Sequence, residues 1–191
     1  MGESTGRLVV LEGVDDVGKS TVASTLATKI SKSRPANVLA FPGNEPGSVG
    51  KWVYDLHHDP ERQSINQTSL QLLHVAAQID CIESQVKPLI KGGRDVILDR
   101  YWWSTYVYGV VGGVEVSRLE KMIDLEIEVW GNCQPDCIVL LRREAAEQQG
   151  LRIKCGVVKD MEEVLRIEGT FHSLALGTAF DGGVLAQHAD D

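Results

Sequence analysis

Leu8-Val9-Val10-Leu11-Glu12-Gly13-Val14-Asp15-Asp16-Val17-Gly18-Lys19-Ser20-Thr21 is the stretch that decides how this chain folds. Residues 13–20 meet the spacing G-x-x-x-x-G-K-[ST], a glycine-rich turn between a strand and a helix. The apolar run at 7–11 suits a short buried strand, and residues 20–27 open a helical pattern. Glycine lets the backbone curl so that successive N–H groups converge on an anion, and the helix start adds its partial positive charge. In such a turn Lys19 reaches the β- and γ-phosphates, while the Ser20 hydroxyl is placed for Mg²⁺. A chance glycine turn would need neither the pattern nor its strand–helix context. Gly13, Val14, Asp16, Val17, Gly18, Lys19, Ser20 and Thr21 are therefore expected to hold a nucleoside triphosphate.

Outward from this turn, short apolar runs alternate with helical stretches, the order that builds an α/β fold on a parallel sheet. Five strands are predicted, at 7–11, 38–41, 95–98, 136–141 and 184–187. The longest helical pattern covers 66–92, punctuated by Pro88 and stopped by Gly92-Gly93. Another spans 116–130, where Leu119, Ile123, Ile127 and Trp130 recur at helical spacing. With 191 residues and no linker or repeat, a single domain over 1–191 is expected.

A hydrophobic share of 43% with 24% charged residues is that of an ordinary soluble domain. The net charge of −8 argues against a non-specific nucleic-acid surface, which needs clustered Lys and Arg. No apolar run has the length of a membrane span, no signal peptide opens the chain, and Gly6 spoils a myristoylation reading of Met1-Gly2. A cytoplasmic location is expected. Cys81, Cys133, Cys137 and Cys155 form no C-x-x-C pair and are read as reduced thiols.

Val96-Ile97-Leu98-Asp99 is an apolar strand ending in a carboxylate, and an acid there lies near Ser20 and the metal. Arg100 follows with a planar fork of donors able to bridge two phosphates. Residues 142–159 carry Arg142, Arg143, Arg152, Lys154 and Lys159. They read as a mobile lid closing over phosphates or, taken alone, as a solvated surface segment.

Leu11 to Thr21, Asp99-Arg100-Tyr101, Ser104-Thr105 and Tyr108-Gly109 together resemble the thymidylate kinase family. Phe41-Pro42 and Lys87-Pro88 through Gly93 fit the same template. The likeness is good over 7–110, looser to 176 and poor beyond. It implies a P-loop NTPase-type three-layer fold with an acceptor-nucleotide region over about 42–92 and a lid over about 142–159. The implied activity is transfer of the ATP γ-phosphate to dTMP, with Mg²⁺ as cofactor and no nucleic-acid or membrane partner. Family analogy places Asp15 near the acceptor phosphate and sugar, Ser20 and Asp99 at the metal, and Tyr108 against the sugar 2′ position. Phe41, Pro42, Ser104 and Thr105 join the acceptor site, and Lys19, Arg100 and a lid arginine, Arg143 or Arg152, share the catalytic charge. A homodimer packed through helices is also implied.

The chain departs from that family at three places. The base-stacking Phe and base-reading Arg of the family become His74 and Gln78, an i, i+4 pair able to meet one ligand. Gln carries a donor and an acceptor, so its amide matches thymine one way and cytosine or adenine when flipped. Asp16 stands where one subgroup has a catalytic Arg, which leaves that charge to the lid. The turn-rich segment 42–47 lacks the Arg often found there. Trp102 and Trp103 wall the pocket or fill the core, and His57-His58 reads as an exposed helix end. Two other readings stay open: a kinase for another or modified deoxynucleotide, and a nucleotide-binding relative without transfer activity.

Overall fold

The computed structural model describes residues 5–59, 64–142, 167, 170–171 and, for the backbone, 184–188. Its sheet has five strands: β1 (Leu8–Glu12), β2 (Ala36–Ala40), β3 (Asp95–Asp99), β4 (Cys137–Arg142) and β5 (Val184–His188). They lie in the order β2-β3-β1-β4-β5, every neighbouring pair parallel. All five residues of β3 are buried, so its centre, Val96-Ile97-Leu98, is continuously apolar rather than alternating. The expected lid over 142–159 lies, beyond Arg142, outside the described residues, and Arg143, Arg152 and Cys155 lie there with it.

Register brings the chemistry to one edge. Leu11 pairs with Asp99 and Glu12 with Leu140, so the carboxyl ends of β1, β3 and β4 finish side by side. From β1 the chain goes first toward β2 and later, from β3, across to β4, and the crevice at such a reversal is where α/β sheets bind ligands. The opposite edge is locked by carboxylates. Asp95 accepts from the Arg7 backbone N–H (2.9 Å) and guanidinium (2.7 Å), and Asp136 accepts from Leu8 N–H (2.8 Å).

The helices are α1 (Lys19–Ile30), α2 (Val49–His58), α3 (Gln67–Cys81), α4 (Lys87–Lys91), α5 (Trp102–Val111) and α6 (Val116–Trp130). The helical pattern over 66–92 is not one uniform helix, because Ile82–Val86 between α3 and α4 is a π-helical turn. Pro88 explains it. Proline offers no N–H, and its ring needs room beside the carbonyl four residues earlier, which a widened turn supplies. Helix α6 keeps the predicted bounds with one change of face: Ile127 is 39% exposed, and Glu126 instead joins Leu119, Ile123 and Trp130 inside.

Trp103, Trp130 and Tyr101 form the bulk of the core, with the Tyr101 and Trp130 rings 5.3 Å apart. Phe41 packs on the same indole at 6.1 Å, and Trp102 is 7% exposed. Both tryptophans beside the Asp-Arg-Tyr segment therefore fill the core. Cys81, Cys133 and Cys137 are unpaired thiols. Among the described residues no helix is long and apolar enough to cross a membrane.

Candidate active site

Strand β1 delivers the chain into the glycine turn. Gly13 has φ +140°, and a Cβ there would sit 2.5 Å from the Leu141 carbonyl oxygen, so no other residue fits. Gly18, at φ +101°, turns the chain into α1, whose first N–H groups receive no side-chain cap. An uncapped helix start is an anion site by its own dipole. Lys19 is buried, and its ammonium arcs back over the turn to donate to the carbonyls of Gly13 (2.9 Å) and Val14 (2.7 Å). Burial, followed by the charge of Arg100, lowers its pKa to about 8. The two cations therefore share one electrostatic environment.

Arg100 sits at the tip of β3 with φ 80°, a conformation that costs a non-glycine residue roughly 1–3 kcal/mol. Its surroundings over-determine it. The guanidinium donates to Ser104 Oγ (2.8 Å) and to Asp15, and lies 5.4 Å from the centre of the Tyr108 ring. Tyr108 in turn donates to Asp15 Oδ2 at 3.1 Å. Burial works against the Arg100 charge, but Tyr108, Asp15, Glu12 and Asp99 outweigh it and raise its pKa. Asp15 thus ties the glycine turn to α5 through one guanidinium.

Glu12 is the residue whose role the sequence reading missed. Fully buried, it accepts at Oε1 from the N–H groups of Tyr101 (2.8 Å) and Ser104 (3.0 Å), capping the first turn of α5 from another strand. Its Oε2 accepts from the Ser104 hydroxyl at 2.8 Å, completing a chain from Arg100 through Ser104 to Glu12. Burial raises its pKa against the charges of Arg100 and Lys19. The available signal was its place: an acid closing an apolar strand, directly before Gly13.

Ser20 Oγ donates to Asp99 Oδ2 at 3.0 Å, while Asp99 Oδ1 is buried with no hydrogen-bond partner among the described residues. A buried carboxylate oxygen left open beside a hydroxyl is a hard-oxygen donor set that fits Mg²⁺. That ion takes one or two protein oxygens and completes its shell with phosphates and water. Thr21 and Asp16 are exposed, Asp16 with φ 61° on the outer side of the turn.

His74 and Gln78 lie on α3, which packs on α5. His74 Nε2 is 2.9 Å from Nε2 of His57 on α2, so one imidazole donates and the other accepts. His57 is therefore turned inward and is not simply an exposed helix end, whereas His58 stacks on Tyr54 at 4.1 Å. Burial, His57 and Arg100 together lower the His74 pKa to about 3 and keep it neutral. Gln78 Nε2 donates to Thr105 Oγ1 at 3.0 Å, with Gln78 Oε1 at 3.2 Å from the same hydroxyl. The Phe41 ring lies in the core, 5% exposed, and not on an open face of the site.

A family model described as Thymidylate kinase matches residues 11–182. The thymidylate kinase of Dinoroseobacter shibae is 40% identical over 149 residues, covering 76% of this chain and 70% of that protein. The thymidylate kinase of Francisella tularensis subsp. novicida is 29% identical over 140 residues, and the match spans 71% of this chain but only 64% of the relative. Among solved structures, thymidylate kinase from Ehrlichia chaffeensis superposes with a TM-score of 0.75 at 21% identity, covering 98% of this chain and 89% of that one. Thymidylate kinase from Candida albicans gives 0.75 at 23%, covering 96% and 84%. At such identities the two structures speak for the fold. The family match across most of the chain, with the 40% identical relative beside it, carries the assignment: this chain belongs to the thymidylate kinase family.

Proposed function

We propose that the chain transfers the γ-phosphate of ATP to dTMP, giving dTDP and ADP, with Mg²⁺ as cofactor. One observation carries this reading: Asp15 joins the glycine turn that holds Lys19 to the half-buried Arg100, and the two cations lie close enough to act on each other. Phosphoryl transfer asks little covalent chemistry of a protein; it asks for two phosphates in line and for charge to be neutralised. The glycine turn and the start of α1 hold the triphosphate, and Lys19 leaves its two carbonyl partners for phosphate oxygens. Arg100 meets the acceptor phosphate, held in place by Asp15 and Ser104. Tyr108 stands against the sugar 2′ position, which favours deoxyribose.

Ser20 and Asp99 would hold the Mg²⁺, which when bound neutralises charge on the β- and γ-phosphates. Arg143 or Arg152 from the lid would add the last positive charge, since Asp16 offers none. The protein would act in the cytoplasm on two nucleotides, as a homodimer and without nucleic-acid or membrane partners. A coupled assay of ADP release tests the reading. Turnover of dTMP that falls about 10³-fold in Lys19→Ala and in Arg100→Ala is expected. Absence of any dTMP turnover by the intact protein would overturn it.

A further inference from the structure

We infer that His57 and His74 form a site for a divalent transition-metal ion such as Zn²⁺, held at the seam between α2 and α3 by their two Nε2 atoms. Such a site does not require the kinase reading above. His57 lies in the last turn of α2 and His74 in the middle of α3, and the two helices pack on each other. The Nε2 atoms come to 2.9 Å while the ring centres stay 5.0 Å apart, so the imidazoles meet at their nitrogen corners and not face to face. Two metal–nitrogen bonds of about 2.0–2.1 Å span about 2.9 Å at a right angle and about 3.3 Å at the tetrahedral angle. The observed gap matches the first, and opening it by about 0.4 Å through small ring tilts reaches the second.

Donor chemistry selects the ion. Neutral imidazole suits Zn²⁺, Cu²⁺ and Ni²⁺, whereas Mg²⁺ takes oxygen ligands, so this pair is distinct from the Ser20 and Asp99 oxygens. Burial, His57 and Arg100 hold His74 neutral, with its pKa lowered to about 3, so protons do not compete for that ring near neutral pH. His57 stands at the carboxyl end of α2, where the helix dipole favours a cation. The charge of Arg100 reaches His74 and opposes one, but Asp15 pairs with that guanidinium. Both rings are half-buried, which leaves the ion a path from solvent and room for water. Among the described residues no cluster of three His, Cys, Asp or Glu is found, so water fills the remaining positions, as in open zinc sites.

Loading is proton-neutral. In the free protein one imidazole donates from Nε2 and the other accepts there. Metal binding uses both Nε2 lone pairs, and the donor's proton moves to its own Nδ1, so none is released to solvent.

Zn²⁺ titrated into the purified full chain, with excess Mg²⁺ present to occupy oxygen sites, decides the matter. Proton–nitrogen correlation spectra of the imidazoles should show the Nε2 resonances of His57 and His74 shifting together and saturating at one ion per chain. The resonances of His58, whose ring stacks on Tyr54, should stay in place. In calorimetry, His57→Ala and His74→Ala should each weaken this binding at least about tenfold, while His58→Ala leaves it unchanged. Zn²⁺ taken up with the His57 and His74 resonances unmoved, as by cysteine thiols alone, overturns the site. Binding that persists undiminished in folded His57→Ala and His74→Ala does the same. Should either variant fail to fold, the spectra of the intact chain still decide.

Discussion

Lys19 carries the sharpest electrostatic consequence of the fold. Burial, then Arg100, holds its pKa near 8, well below the usual 10.5, while no anion faces it except through Asp99, Asp15 and Glu12. A bound triphosphate favours the ammonium and raises that pKa, so the complex holds a proton that part of the free protein has lost. The sign is uptake on binding: ATP affinity is flat in this group below about pH 7 and falls as pH rises through 8. Calorimetry at pH 8.5 in two buffers of different ionisation enthalpy should record uptake of about three-quarters of a proton. In Lys19→Met that uptake should vanish; uptake persisting there would remove Lys19 from the phosphate site. Glu12 makes the complementary case. Glu12→Gln puts an amide N–H₂ against the Ser104 hydroxyl, whose proton then has no acceptor while Arg100 still donates to it. A loss of about 1–3 kcal/mol in denaturant titration, with a lowered kcat, is expected; unchanged stability and rate would contradict the chain of contacts. Lys19, Ser20, Asp99 and Arg100 were legible because their motifs are local. Glu12 and His57 were not, because what defines them arrives from 92 and 17 residues away.

At the scale of the element, α6 shows how a helix with the right period hides a titratable group. Its buried face is Leu119, Met122, Ile123, Glu126 and Trp130, so an acid occupies a core position. Glu126 Oε1 accepts from Trp130 Nε1 at 3.2 Å, and its Oε2 has no hydrogen-bond partner among the described residues. Burial first, and the charge of Glu12 after it, raise the pKa to about 8 against the Trp130 bond. The unfolded chain releases this proton near pH 4.5 and the folded one keeps it to about 8. The group's contribution is therefore full below 4.5 and is lost as pH rises through 8. Glu126→Gln keeps the Trp130 bond and removes the ionisation. The variant should match the parent at pH 4.5 and exceed it by on the order of 4 kcal/mol at pH 8. Urea titrations across that range that ran parallel would refute the argument. Helix α6 was legible from its amphipathic period, and α3 likewise. Helix α5 was not, because six of its ten residues are buried and a helix apolar on most sides loses the 3.6-residue signal. The π-helical turn before Pro88 was hinted at only by the proline itself.

For the whole molecule, the five strands could be read from their short apolar runs, but their order could not. Parallel pairing joins β1 to β3 and β4 across long separations, and nothing local encodes which neighbour is chosen. The same holds for what the outer faces meet. Helices α2, α3 and α6 pack on one another in a row, and each leaves apolar side chains in solvent. Trp52 on α2 is 66% exposed, Leu72 and Leu73 on α3 are 51% and 38%, and Leu125 and Ile127 on α6 are 51% and 39%. Scattered exposed apolar residues are ordinary on a monomer, but large ones on three adjoining helices are the composition of a covered face. The occupant in keeping with the proposed homodimer is a second copy of this chain, joined helix to helix. Sedimentation equilibrium should give twice the mass of one chain at micromolar concentration. The double variant Leu72→Glu/Leu125→Glu should give one chain's mass while keeping its far-ultraviolet circular dichroism, since both positions are half-exposed and outside the core. A folded double variant that still sedimented as a dimer would move the interface elsewhere, and an intact protein at single-chain mass would remove it.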